Sequence, residues 1–520
     1  MSRAMKSGVL LWVLIATVWA PLAQAGAPLA IRPAAGRQPM GHDRSALAVQ
    51  VDLGLLGAVD GPVLVGAALP ERQVVCRRQR LVLRGEGDFS WFGSVEGEAG
   101  SSVVLTAVDG ILMGQVVLGQ RAYAVEPVAG GYLALPRDPG AVPPFADDAR
   151  LPPGQPPPPA RQRQAAAVDD GSVLDLLVLY TPAMASRYGS TLGTVIQHQV
   201  DVANTCYTNS QIATRLRLAG TARYDLAAAR EGIAGASALD ALTDDSTAAT
   251  LRNTYGADLV SLLRVYAGSG GCGYGWIMTP EWLGAQFATL AFSVVEVRLQ
   301  SEGTGYYCLE TSLAHELGHN LGCAHDRDHA SGSGGAYAYS YGYDVPGILA
   351  TVMSYDTPGI PYFSNPNISY RGYATGVAAG RSDAADNART INSTRTIVAA
   401  FRPGIAQPPQ PDVKANGQDG PLAVGAGSPV AVTVVLAAND GAGQTADWYI
   451  VRQTPASPLS SLVLSGAWRS GFRRLLRYPL LDVATTTIFQ DTLPAGSSFF
   501  HFAVVSGGEA QVDTVAVEVR

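Results

Sequence analysis

The chain has 520 residues, 47% of them hydrophobic and 15% charged, with a formal net charge of −7. Such a length predicts three or four structural units, and such a composition fits a globular chain, neither disordered nor a membrane bundle. Net acidity, with no basic stripe interleaved with aromatics, excludes nucleic acid as a partner.

Residues 1–25 read as a cleavable signal peptide. Arg3 and Lys6 give a positive start, residues 8–20 an apolar core, and Ala23-Gln24-Ala25 a small-residue cleavage site. The apolar stretch is short for a spanning helix, and no later segment is long and apolar enough to cross a bilayer. The expectation is a secreted, extracellular protein with no membrane span. Export permits disulfides among Cys76, Cys206, Cys272, Cys308 and Cys323, and the odd count leaves at least one thiol without an intrachain partner.

Residues 26–165 are expected to be β-rich. Runs such as ERQVVCRRQRLVLRG and ILMGQVVLGQRAYAVEPV alternate apolar and polar residues between glycines. The tail of this unit, from Pro139 to Arg163, carries the run PPGQPPPPARQRQ and is expected to be an extended, accessible linker. Arg161 and Arg163 there suit a processing protease, or are solvated linker charges.

A second unit spans 166–403. Strand-type runs (VLDLLVLYTP, RLRLAGTARYDL, DLVSLLRVY, ATLAFSVVEVRL) alternate with a helix over 192–209, and a helix over 383–401 closes it. That alternation predicts a mixed sheet with helices. Residues 404–418 form another proline-rich linker. Residues 419–520 hold strand-like runs without a clear helix, which predicts an all-β sandwich-like domain.

The chemistry concentrates in SLAHELGHNLGCAHD, residues 312–326. On a helix His315 and His319 stand one turn apart on one face, so both imidazoles reach one ion. Glu316 sits beside the first, placed for a metal-held water without taking a coordination site. Gly322 lets the helix stop and the chain turn, which returns His325 as third ligand. Three imidazoles leave one tetrahedral position open, the catalytic arrangement for a single Zn2+. Met353 follows in ATVMSY.

This extended histidine pattern followed by Met353 resembles the metzincin clan of zinc metalloendopeptidases. Asp326, directly after the third histidine, is similar to the reprolysin/adamalysin branch. The later runs IPYFSNPNISYRGYATG and DNARTIN resemble bacterial secreted reprolysin-like peptidases. The resemblance implies an α+β catalytic domain, a twisted mixed sheet over the active-site helix, acting on protein or peptide substrates. It also implies a Met-turn at Met353 beneath the histidines and a turn anchored by Asp326. Substrate is then expected along an exposed sheet edge, taken to be the strand around 288–296.

The same resemblance makes residues 26–165 a propeptide that inhibits its own enzyme. Cys76 is either a thiolate latch on the open zinc position or a buried strand cysteine. Tyr355 either approaches the zinc to assist the oxyanion or is simply packed. His329 is expected in a solvated loop. Cys272 with Cys308, flanking the edge-strand region, is the favoured disulfide, which leaves Cys206 with Cys323. Calcium is a further ion the resemblance allows, without identifiable ligands. Trp448, Tyr449 and Trp468 are either core or contact residues of the last domain. Two rivals remain: a zinc-containing adhesion or binding protein without turnover, against which Glu316 speaks, and a cell-wall amidase.

Overall fold

Period-two alternation over Ser102–Val108 sends Val103, Leu105 and Ala107 to one face and Val104 and Thr106 to the other. The computed structural model describes all residues except 1–26, 35–44, 59–61, 86, 145–146, 157–170, 269, 304, 331–333, 405–408, 419–420 and 508. The signal-peptide expectation, Arg161 and Arg163 therefore lie outside the described residues. The first set of residues lines the core of a closed barrel that runs from Leu29–Pro33 to Gly131–Pro136. The second set faces the helix Leu192–Asn209, where Thr106 Oγ1 bonds His198 Nδ1 at 3.0 Å and Asp201 Oδ2 at 2.7 Å. Val104, with Phe92 and Met113, joins the core of the second unit. One strand thus serves two cores and fixes the barrel onto that helix.

Cys76 points into the barrel, opposite Val65 and Val95, and burial pushes its thiol up to about 12. The latch reading of Cys76 is corrected: it is a buried strand cysteine.

The second unit is built on a six-stranded sheet. In spatial order its strands are Ala149–Arg150, Gly273–Trp276, Phe292–Val297, Leu259–Val265, Val173–Tyr180 and Arg215–Arg223. All neighbours are parallel except Gly273–Trp276 against Phe292–Val297. The near-continuous apolar runs of Val173–Tyr180 and Leu259–Val265 suit strands covered on both faces. Without the two-residue strand at 149 and 150, the sheet ends at Gly273–Trp276 on one side and Arg215–Arg223 on the other, so the strand around 288–296 is interior and not the edge. The residues at 149 and 150 extend the edge as an added strand. The stretch expected to be an open linker is instead docked where it is described at 139–144 and 147–150, with Tyr307 N donating to Ala141 O (2.9 Å) and Ile277 N to Arg150 O (3.0 Å).

The last unit has a three-stranded and a seven-stranded sheet around one apolar core. Trp448 is core, its Nε1 donating to Tyr478 O at 3.1 Å. Tyr449 and Trp468 are half-buried, the former stacked on Phe472 at 4.8 Å. No described helix is long and apolar enough to cross a membrane.

Candidate active site

The helix Ser312–Asn320 is wholly buried, and His315 and Glu316 line the cavity beside it. Gly322 adopts φ +89°, a conformation that side chains resist, and the turn it makes carries the chain back to His325. The rings of His315, His319 and His325 stand 4.7–5.2 Å apart, centroid to centroid. His315 Nδ1 lies 2.7 Å from the Val352 carbonyl and His319 Nδ1 2.8 Å from that of Cys323. Each carbonyl accepts a hydrogen bond from Nδ1–H, which leaves the Nε2 lone pairs of both rings pointing inward.

What they meet is an oxygen. Asp148 Oδ1, on the stretch leading from the barrel, lies 3.4, 3.1 and 2.8 Å from Nε2 of His315, His319 and His325. Lone pairs facing a carboxylate repel unless a cation lies among them. A tetrahedral ion with ligand bonds of about 2.0–2.1 Å sets ligand-to-ligand edges of about 3.3 Å, close to the separations found. The donor set therefore fits a metal. Among the described residues, these four are the one group of three or more His, Cys, Asp or Glu side chains able to converge on an ion. The allowed calcium accordingly gains no carboxylate cluster among those residues.

Glu316 is buried beside this centre, and its Oε2 has no hydrogen-bond partner. Burial first, and the Asp148 charge second, push its carboxyl well above the ordinary range. A side chain at Gly273 of the edge strand would collide with the Glu316 carboxyl, 2.2 Å from Oε1, so that position must be bare for Glu316 to occupy its place. Burial also lowers His319 to about 4. Burial alone would raise Asp148, but positive charge at His315 first, and then at His319 and His325, whether as protons or as a cation among them, holds it well below the usual carboxylate range.

Comparison with known proteins agrees with this geometry. The family description "Reprolysin_5: Metallo-peptidase family M12" matches residues 170–364. Residues 170–364 are thus similar to a metallopeptidase domain of the reprolysin type. It is similar to a peptidyl-Asp metalloendopeptidase of Pseudomonas aeruginosa, 33% identical over 46% of this chain and 42% of that protein. A second, from Xanthomonas campestris, is 29% identical over 69% of this chain and 86% of the relative. The chain thus spans less than half of the first relative's length and most of the second's. Among solved structures, metalloproteinase-II from Bacteroides fragilis aligns with 51% of this chain and 83% of its own at a TM-score of 0.29 and 13% identity, too loose to carry an argument.

Within the metallopeptidase domain the remaining expected residues fall as follows. Met353 Sδ packs where a side chain on Gly318 would stand, beneath the helix, and its carbonyl accepts from Asp326 N at 3.0 Å. Asp326 anchors the turn, accepting from the backbone of Asp328 and His329 at 3.1 Å each. His329 is half-buried, not solvated, with Nδ1 2.7 Å from Asp326 Oδ1. Tyr355 reaches the centre: its hydroxyl donates to Asp148 Oδ2 and stands 3.3 Å from His325 Nε2. Cys272 and Cys308 form the favoured disulfide. Cys206 and Cys323 are free and buried, so that pairing is corrected; one sits in the helix Leu192–Asn209 and the other in the turn after the histidine helix, each packed into the apolar core.

Asp148 escaped sequence reasoning. Its only signal is an acidic doublet, Asp147-Asp148, in a proline-rich stretch, where a carboxylate ordinarily reads as a solvated charge.

Proposed function

We propose that this chain is a secreted zinc endopeptidase made as a latent precursor, with residues 26–165 as its propeptide and Asp148 as the latch. The observation that carries the reading is the convergence of Asp148 Oδ1 on the three Nε2 atoms of His315, His319 and His325. Zinc suits this donor set, three imidazoles and one position left over for water or a carboxylate.

Bound there, zinc supplies Lewis acidity, making a water acidic near neutral pH and polarising a peptide carbonyl. The protein does the rest. Glu316 Oε2, unpartnered and buried, accepts the water's proton and later passes it to the departing amine. Tyr355 turns its hydroxyl from Asp148 toward the oxygen that gains charge. The edge strand Gly273–Trp276 offers backbone groups to an extended substrate. In the precursor that edge is taken by the residues at 149 and 150, which run parallel to it. Residues of the proposed propeptide thus occupy both the edge and the space among the three Nε2 atoms that would hold the metal.

The presence and placement of Glu316 favour turnover over a binding protein without catalysis. The test is casein cleavage by the full chain before and after limited proteolysis between residues 157 and 170, with and without a chelator. The expected result is activity that appears on cutting, vanishes with chelator and is absent in Glu316→Ala, while that variant keeps one zinc. Cut wild type that binds zinc but cleaves no more casein than Glu316→Ala would bring the binding-protein reading forward.

A further inference from the structure

The cavity beside the catalytic centre, about 380 Å³, is walled partly by the barrel and partly by the metallopeptidase domain. Arg121 and Arg137, its basic side chains among the described residues apart from histidine, both come from the barrel. The metallopeptidase walls contribute Glu310 and Asp356 besides Glu316, and no Lys or Arg. The relatives are named for aspartyl peptides, yet this wall has the wrong sign to receive an aspartate through an ion pair.

Arg137 marks what the wall does receive. Its guanidinium pairs with Glu310 and, at 2.9 Å, with Glu126 of its own barrel, and lies 4.8 Å from the centroid of the Tyr307 ring. All three charged side chains are nearly inaccessible, 6%, 0% and 5% exposed for Arg137, Glu126 and Glu310. The Glu310 partners are Arg137 and Gln115, whose Nε2 is 3.3 Å from Oε2; both belong to the barrel. When the barrel leaves, Glu310 therefore loses every partner it has, two residues before the helix that carries His315 and Glu316. A flat aromatic face plus a carboxylate is a matched receptor for a guanidinium. The Cys272–Cys308 disulfide ties this loop to the residue just before the edge strand, which holds the recess in place beside an extended substrate.

We propose that Tyr307 and Glu310 form a substrate subsite for an arginine side chain, which Arg137 fills in the precursor. The inference rests on the endopeptidase reading. The enzyme would then favour arginine at one fixed position near the cleaved bond, with lysine second because it lacks the planar fork.

The experiment takes the full chain, activated by cutting between residues 157 and 170. It digests a peptide library generated by cleavage after glutamate, so that internal arginines survive, and the new termini are read by mass spectrometry. Wild type is expected to enrich arginine about fivefold or more at one position. Glu310→Gln should abolish that enrichment and raise KM for an arginyl test peptide about tenfold, more than it lowers kcat. The triple exchange Arg137→Glu, Glu310→Arg and Glu126→Gln keeps the ion pair across the seam without setting a second carboxylate beside the new one at position 137, and should move the preference to acidic residues at the same subsite. A library cut without arginine enrichment, or enrichment that survives Glu310→Gln, overturns the subsite while leaving the endopeptidase standing. No chelator-sensitive cutting by wild type would remove both.

Discussion

Asp148 Oδ1 lies 2.8 Å from His325 Nε2, although 177 residues separate the two along the chain. The contact joins the stretch after the barrel to the turn after the histidine helix, and in the proposed function it is what holds the precursor at rest. Both residues are buried, so solvent does not screen the interaction.

Tyr355 touches the same carboxylate, on its other oxygen. In the proposed function its hydroxyl would act twice, first holding the Asp148 latch and then meeting the charge that develops on the substrate oxygen. Tyr355→Phe should lower kcat of the activated chain about ten- to a hundredfold with little change in KM. Steady-state kinetics on one peptide checks this. An unchanged kcat would confine the tyrosine to the latch.

Cys76 carries no such role. Cys76→Ala should leave the uncut precursor as silent as wild type and lower barrel stability by about 1 kcal/mol, since a small buried side chain is lost from the core. Paired melting curves and casein assays measure the two effects. A variant active before cutting would restore the thiolate latch.

The two cysteine outcomes illustrate what the sequence makes legible. Period-two alternation, the strand–helix order and the histidine spacing are local patterns, and from them the barrel-forming strands, the sheet and the set His315, Glu316, His319 and His325 follow. The edge strand was misplaced because Gly273–Trp276 is four residues of mostly glycine and aromatic, with no β-branched run to mark it. Asp148 and Glu310 were illegible for a different reason. Each acquires its role only from partners more than 160 residues away, and an isolated carboxylate in sequence gives no sign of such a partner.

The seam between barrel and enzyme should also respond to acid. His198 lies fully buried against Thr106, beside Asp201, and burial, with the Arg137 charge second, lowers it to about 3. Once the barrel detaches, the ring regains a pKa of about 6.5. The docked state therefore binds fewer protons than the released one below that value. Docking is fully supported above about pH 6.5 and loses about 1.4 kcal/mol per pH unit as the pH falls toward the docked value. Release of the barrel from linker-cut protein, followed by size exclusion at pH 7.5 and 5.5, should be greater at the lower pH. His198→Gln should flatten that difference, and an equal slope in the variant would assign the effect to another group.

The most direct test compares uncut wild type with uncut Asp148→Ala on casein, each with its zinc content measured. Asp148→Ala leaves the three imidazoles and Glu316 intact and vacates only the carboxylate. The expected result is one zinc in both, silence from wild type, and chelator-sensitive cleavage by the variant without any cut in the linker. A folded, zinc-loaded Asp148→Ala precursor as silent as wild type would contradict it, because latency would then reside elsewhere in the barrel's hold on the cleft.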